Sequence, residues 1–480
     1  MMRNRVREMV RPVFYLGHNP VTLAGAVITT ASALTLIIFY FSELFGLVAH
    51  PYSGILFFLI LPAVFLIGLL LIPYGALRRR RQLVKAGLLP VVYPPVNLQD
   101  PNLRRGMGWV GLATGLNVVI LLTASYRGVH YMDSVQFCGM TCHAVMQPEY
   151  TAYQESPHSR VACVGCHIGP GASWFVRSKL SGTYQVISVT FRLYSRPIPS
   201  PVKDLRPARE TCEQCHWPDK FEGDRFVVFK KYGEDEKNSP TYNVLVMKVG
   251  GHSPRGGVGI HGVHVGPGRE IDYIASDRQR QTIPWIRSTD AKGNVTEYVA
   301  SDSKLTPEQL ALGERRVMDC MDCHNRPTHA FQLPERALDE ALEAGRISAE
   351  LPFIKKRGVA LLRANHASHD EAQQTMAREL KEFYRANYPQ IFQNQTAQID
   401  TATEQLSRIY RRNVFPAMNI SWGTYPNNIG HTDFTGCFRC HDGNHTSSDG
   451  KTVSQDCSAC HRLLAMEETN PKILQDLALR

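Results

Sequence analysis

The sequence predicts three N-terminal membrane-spanning helices followed by an exported domain of low regular secondary structure, mainly α with a small β insert. Two uneven distributions predict this. Nearly all long apolar runs lie before residue 127, and nearly all cysteine and histidine lies after it. The 12 cysteines form six close pairs, each followed at once by a histidine. A chain of 480 residues, 44% hydrophobic and 20% charged, is long enough for about three compact units. This composition excludes a disordered or collagen-like polymer.

The anchor comes first. Val21 to Phe41, Ser53 to Leu77 and Met107 to Tyr126 carry no charged residue. At ~1.5 Å per residue, each helix is long enough to cross the ~30 Å hydrocarbon core. Pro62 and Pro73 are expected kinks in the second. Arg3, Arg5, Arg7 and Arg11 precede the first run, and Arg78 to Arg81, Lys85, Arg104 and Arg105 lie between the second and third. The loop around His50-Pro51 has no Lys or Arg. Positive charge stays on the cytoplasmic side. The N-terminus and the 78–106 linker are therefore expected in the cytoplasm, and everything after about residue 127 in the periplasm, on a bacterial inner membrane. The first run exceeds a signal-peptide core and has no small-residue cleavage site after it, so residues 1–126 are expected to remain as an anchor.

Five cysteine pairs read C-x-x-C-H: Cys163/Cys166/His167, Cys212/Cys215/His216, Cys320/Cys323/His324, Cys437/Cys440/His441 and Cys457/Cys460/His461. The sixth, Cys138/Cys142/His143, is one residue wider. Chance at this composition gives about 0.01 matches to that string, which is the attachment signature of c-type haem. Structural zinc does not need a histidine after every second cysteine. Disulfides two residues apart would cross-link almost nothing, and iron–sulfur clusters leave the histidines unused. Six covalently bound haem c groups account for all of them, with the adjacent histidine as one axial ligand. The net charge of +10 is offset by haem propionates and does not point to nucleic acid.

Residues 127–217 hold the first three sites. Residues 218–304 read as a small β insert, with strands at Arg225–Phe229, Tyr242–Val249 and Glu270–Ile274 and a hairpin over Thr282–Ala300 that turns near Lys292-Gly-Asn294. Residues 305–332 hold the fourth site, entered by a helix starting at Thr306-Pro307. Residues 333–412 are amphipathic helices, with a capping box at Ser368/Glu371 and a buried stripe at Met376, Leu380, Phe383 and Tyr384. Residues 413–480 hold the last two sites.

Apart from the proximal histidines and the membrane-region His18 and His50, ten others are candidate distal ligands: His130, His158, His252, His261, His264, His329, His366, His369, His431 and His445. His261 and His264, in a Gly-rich stretch, are expected ligands of the fourth haem. His431 and His445 lie beside the fifth motif and are expected to serve a neighbouring iron.

Cys138-Gly-Met-Thr-Cys-His-Ala-Val-Met146, Ser156-Pro-His158 and Cys320-Met-Asp-Cys-His-Asn-Arg-Pro-Thr-His329 resemble the NapC/NirT/NrfH family of membrane-anchored quinol dehydrogenases, over about residues 107–217 and 315–330. The resemblance implies His329 as distal ligand of the second haem and His158 of the third. It implies a first haem beside the quinol, with a Met ligand matched in type by Met146, which comes one residue later than usual. Lys179 falls at the family's quinol-site lysine. The acid that follows it in relatives is absent, and Gln185 lies nearest. Relatives have one anchor helix and four haems; three spans and six sites are similar in plan to larger inner-membrane cytochromes of metal-respiring bacteria.

The implied activity is oxidation of menaquinol or ubiquinol from the membrane pool, with electrons passed along the haems to periplasmic cytochromes or reductases. Two rival readings remain open. One is an electron-transfer subunit docked in a larger membrane complex, without its own quinol site. The other is a periplasmic reductase with an open haem.

Overall fold

The computed structural model describes residues 11–12, 15–44, 60–94, 99–132, 134–141, 143–169, 172–202, 205–217, 221, 223–253, 257–303, 306 and 313–477. Arg3, Arg5 and Arg7, the His50-Pro51 loop, Ser53, Cys142 and Pro307 lie outside the described residues. The chain divides into two compact units, residues 1–141 with 162–187, and residues 142–161 with 188–480.

The first unit is built on α1 (Pro20–Leu44), α2 (Leu61–Lys85) and α3 (Pro101–Met132). Each contains a stretch long and apolar enough to cross a membrane, with mean hydropathy of 2.0, 1.8 and 1.7. Pro62 lies in the first turn of α2, where its missing N–H costs nothing, rather than at a kink; Pro73 is inside the helix. Arg78 to Arg81 continue α2 beyond its apolar part.

Without a hydrophobic drive between helices in lipid, close packing of small residues holds them together. A Cβ on Gly68 of α2 would stand 2.8 Å from the Thr29 backbone nitrogen of α1, and one on Gly25 would stand 2.8 Å from the Gly68 carbonyl. Thr22 Oγ1 donates across the same seam to the Ile72 carbonyl at 3.1 Å. Gly68→Ile should force α1 and α2 apart and cost about 1–3 kcal/mol. Thermal unfolding of the detergent-solubilised protein should show it as a lowered first transition. An unchanged transition would remove the seam from the argument.

Beyond α3, Phe137–Thr141 forms a π-helical turn, followed by α4 (His143–Gln154), α5 (Cys163–His167), α6 (Ala172–Thr190) and α7 (Ala208–Cys212). In the second unit, β1 (Arg225–Tyr232) pairs antiparallel with β2 (Pro240–Met247). A two-stranded ribbon of β3 (His252–Ser253) and β4 (Gly257–Val258) leads into α8 (Ile260–Val265). Next come β5 (Glu270–Ile274), β6 (Trp285–Thr289), β7 (Val295–Ala300) and β8 (Arg316–Val317). The hairpin between β6 and β7 turns at Gly293, whose φ of +84° suits glycine.

The strands do not close on themselves. The five-stranded sheet runs β8-β5-β6-β7-β9, where β9 is His445–Thr446. The three-stranded sheet runs β1-β2-β10, where β10 is His461–Glu468. Both are completed by segments from the last two motifs. Sequence patterning gives no strand there, because β9 is two residues long and β10 pairs through register shifts near Leu463 and Ala465, which erase the period-two signal.

The helical layer consists of α9 (Cys320–Cys323), α10 (Pro334–Glu343), α11 (Ile354–Arg363), α12 (His369–Asn387), α13 (Pro389–Asn394) and α14 (Thr396–Asn413). α10 to α14 surround one core in which Leu338, Leu351, Ile354, Leu362, Met376, Leu380, Tyr384, Ile399 and Leu406 are fully buried. The stripe of α12 is therefore packing. Its capping box is half formed: Ser368 Oγ accepts from Glu371 N at 3.1 Å, but Glu371 reaches back to Ala367 N at 2.7 Å. Buried Lys355 pairs with Asp339 at 2.5 Å, and Asp339 also accepts from Tyr232 N, tying β1 to the helices. α15 (Cys457–Cys460) and α16 (Lys472–Asp476) close the chain.

Candidate functional site

The cysteine pairs sit on single turns. In an α-turn, residues three apart share a face, so α5, α9 and α15 present both thiols of a pair to one side. Aspartates hold two of these turns. Asp319 caps α9, accepting from Met321 N at 2.8 Å, while Asp322 accepts from Asp319 N at 2.7 Å. Asp456 caps α15, accepting from Ser458 N at 2.9 Å. The fifth pair lies on a 3₁₀ turn, Gly436–Arg439. The widened first motif begins in the π-turn, whose i→i+5 closure takes up an additional residue per turn. The described cysteines form no disulfide. Among the described residues no cluster of three or more His, Cys, Asp or Glu could hold a metal ion.

The two thiols of a pair differ in exposure at the second and third sites. Cys163 and Cys212 are half-buried, whereas Cys166 and Cys215 are exposed. Local geometry gives the reason. Cys166 lies at the open C-terminal end of α5, a helix of five residues between exposed Gly165 and His167. Cys215 lies beyond the end of α7, on a turn closed by its own N–H and that of His216 to the Cys212 carbonyl, at 3.1 and 2.8 Å. At each of these two sites the first thiol is the more enclosed and the second the more exposed. Cys437 and Cys457 are also exposed, with Cys440 and Cys460 as their more enclosed partners.

Successive motifs touch. In the first unit, the Cys138 thiol hydrogen-bonds to Cys163 and brings its pKa down to about 7. In the second, Cys212 does the same to Cys320, also to about 7. Burial pushes Cys323 up to about 11 and Cys440 up to about 12; Cys437 adds to the rise at Cys323, and Cys323 to the rise at Cys440. Cys437 likewise raises Cys460. The third to sixth attachment loops thus adjoin one another in chain order.

Four pairs of imidazoles face each other in the second unit. Ring centroids are 6.1 Å apart for His158 and His216, 6.2 Å for His261 and His324, 5.9 Å for His264 and His441, and 6.1 Å for His431 and His461. An imidazole nitrogen lies ~2.0 Å from a first-row metal and about 1.1 Å from its own ring centre. Two imidazoles on opposite sides of one iron therefore place their centroids roughly 6.2 Å apart. Each pair joins a motif histidine to one outside that motif, and the residues fit a haem at all four positions.

The hydrogen bonds agree. His158 Nδ1 meets the Pro327 carbonyl at 3.3 Å, His264 Nδ1 the Ile260 carbonyl at 2.8 Å, His441 Nδ1 the Ser454 carbonyl at 2.7 Å, and His261 Nδ1 the Val249 carbonyl. A ring that donates through Nδ1 presents Nε2 to a metal. Burial holds His264 and His324 below the ordinary imidazole pKa, favouring the neutral, ligating form.

Two ligand expectations are corrected. His264 faces His441 of the fifth motif, not the fourth, because it stands ~4.5 Å farther along the axis of α8 than His261 and so meets the next motif. His445, expected beside a neighbouring iron, is 1% exposed and has both ring nitrogens engaged, Nδ1 on Asp442 at 2.9 Å and Nε2 on the Ile283 carbonyl at 2.7 Å. His366 and His369 likewise use Nε2 on backbone carbonyls. His130 packs on Tyr126. His329 Nδ1 lies 2.9 Å from the Glu149 carbonyl, and Arg326 holds the Glu149 carboxylate at 2.9 Å. Met146 is half-buried on α4, Lys179 lies on α6, and Gln185 is exposed on α6 and donates to Ser181 at 3.2 Å. The side chains of His143, Lys179 and His252 lie outside the description.

Apolar spanning helices joined to a domain threaded with cysteine–histidine attachment turns define a membrane-anchored c-type cytochrome, an electron-transfer protein with covalently bound haem c. Residues 101–196 match the model of the NapC/NirT cytochrome c family, N-terminal region. Along 455 residues, 94% of this chain and 89% of the relative, the sequence is 42% identical to the cytochrome c-type protein ImcH of Geobacter sulfurreducens. The chain belongs to the NapC/NirT cytochrome c family, in the branch of ImcH. No solved structure matches.

Proposed function

We propose that this protein is a hexahaem quinol dehydrogenase of the bacterial inner membrane, with its haem domain in the periplasm. The supporting observation is the set of four facing imidazole pairs, joined by attachment loops that adjoin in chain order. When bound, haem c supplies one-electron chemistry; potentials follow ligands, burial and hydrogen bonding. At the third to sixth sites two histidines would hold each iron: His216 with His158, His324 with His261, His441 with His264, and His461 with His431. The carbonyls of Pro327, Val249, Ile260 and Ser454 orient four of these rings. Cys166 and Cys215 remain the second attachment thiols of their sites, because a thioether needs a sulfur within reach of the macrocycle rather than one enclosed by protein.

The first motif begins six residues beyond the end of α3 at Met132, so a quinol at the bilayer edge meets it before any other site. Lys179, with Gln185 six residues further along α6, is the group that contacts the quinol oxygen and orients it as two protons and two electrons leave. Electrons travel toward the sixth site, and a periplasmic cytochrome or reductase collects them there.

Lys179→Ala should slow reduction of the purified protein by a menaquinol analogue about tenfold or more, which is ~1.4 kcal/mol in the barrier. Reduction by dithionite should be unchanged, and the mass of the intact chain should still show six haems. An unchanged quinol rate would overturn the lysine's role. A mass showing fewer haems in the unsubstituted protein would overturn the hexahaem reading itself.

A further inference from the structure

Between the fourth and fifth motifs the second unit buries a set of charges. Asp322, the third residue of the fourth motif, is 2% exposed. Its carboxylate accepts from Tyr273 Oη at 2.6 Å, Arg316 Nε at 2.8 Å and Arg280 Nη1 at 3.3 Å. Arg316 also reaches Asp319 at 3.0 Å. Arg439, the third residue of the fifth motif, is 7% exposed. Its guanidinium donates to three backbone carbonyls: Gly436 at 2.9 Å, Arg280 at 2.9 Å and Asp322 at 2.6 Å.

Arg439 has no carboxylate partner among these bonds. Asp322 is taken up by Arg280 and Arg316, so three guanidinium groups stand against the carboxylates of Asp319 and Asp322, and one positive charge remains. Asp442, the other carboxylate acting on Cys440, is engaged by His445. A guanidinium stays protonated at every working pH. Burying it is costly, and three carbonyls offset part of that cost while leaving the charge in place.

Its field reaches both motifs. Arg439 directly precedes Cys440 in the fifth motif, and its guanidinium reaches the carbonyl of Asp322, the residue directly before Cys323 in the fourth, at 2.6 Å. An iron that gains an electron loses one unit of positive charge. A fixed cation nearby, in a poorly screened interior, therefore favours the reduced state. Net charge and burial are recognised levers on haem potential.

We infer that Arg439 raises the reduction potentials of the fourth and fifth haems together, making this central pair the place where electrons collect on their way along the chain. The inference rests on the haem placement proposed above. The pair lies between the third and sixth sites, so the two electrons of one quinol can rest there, one on each iron, before leaving singly.

The test is an EPR-monitored redox titration of the full-length protein in detergent, comparing the wild type with Arg439→Gln, Arg439→Lys and Asp322→Asn. The ring planes help assign the signals: His261 and His324 are nearly parallel at 8°, whereas His264 and His441 cross at 66°, and the iron's anisotropy follows ligand-plane orientation. Arg439→Gln should lower both midpoints at least tenfold in the reduction equilibrium, about 59 mV for a one-electron couple. Arg439→Lys should restore most of the shift, and Asp322→Asn should move both midpoints the opposite way.

A merely structural arginine would not give opposite signs for the two substitutions. If Arg439→Gln fails to assemble, Asp322→Asn decides: a rise supports the inference, and unmoved midpoints overturn it. Six haems by mass with unmoved midpoints sink only this inference. Fewer than six in the wild type sink the reading beneath it.

Discussion

His264→Ala should yield a protein that keeps every covalent haem yet shows one new high-spin, carbon-monoxide-binding iron, the fifth. The reason is local. α8 carries His261 and His264 three residues apart on one face, and the ~4.5 Å of rise between them lets one ring meet His324 and the other His441. Removing one ring should therefore open one iron. His261→Ala should open the fourth instead, replacing the signal of the parallel pair. His445→Ala makes the contrast: it breaks two buried hydrogen bonds, costing about 1–3 kcal/mol in stability, and leaves every iron low-spin. The assignment fails if His445→Ala creates the high-spin centre and His264→Ala does not.

How much of this could be read from sequence follows from where the signal resides. Covalent attachment needs a cysteine pair and a histidine in a short string, so the six sites are legible without any fold. Which thiol of a pair the fold encloses is not legible: Cys163 and Cys166 read alike, and only the end of a five-residue helix separates them. The anchor is legible, because crossing lipid demands a long uncharged run. Distal ligands are another matter. His264 and His445 look alike as letters; what separates them is which ring nitrogen a backbone carbonyl occupies, and Ile260, Ile283, Val249 and Ser454 advertise nothing by residue type. β10 is hidden for a similar reason. Its partner β2 lies more than two hundred residues away, and the register shifts remove the alternation that marks a half-buried strand. Arg439 falls between two motif residues and reads as a solvent-facing filler; only its three carbonyl partners reveal burial. For ligand, strand and arginine alike the missing information is a long-range contact, which local propensity does not carry.

Gly436→Ala should be the most damaging single methyl in the second unit. Gly436 precedes the fifth motif with φ of +49°, a conformation that costs a residue with a Cβ ~1–2 kcal/mol. The added atom would stand 1.7 Å from the Gly430 carbonyl, a backbone atom that cannot rotate away, and relieving such overlap costs a further ~1–3 kcal/mol. The displacement also attacks two hydrogen bonds that hold the loop, Cys437 N to the Gly430 carbonyl at 3.0 Å and Arg439 Nε to the Gly436 carbonyl at 2.9 Å. Attachment turn and buried cation are thus set by one glycine. The expected outcome is a protein one haem short by mass, or one with six haems and a thermal transition lowered by about 2–5 kcal/mol. Gly450→Ala separates strain from collision: φ there is +81°, but a Cβ meets nothing within 4 Å, so only the conformational part, about 1 kcal/mol, should be lost. Equal losses at the two positions would show that the Gly430 carbonyl is not the obstacle and that the loop accommodates the methyl group.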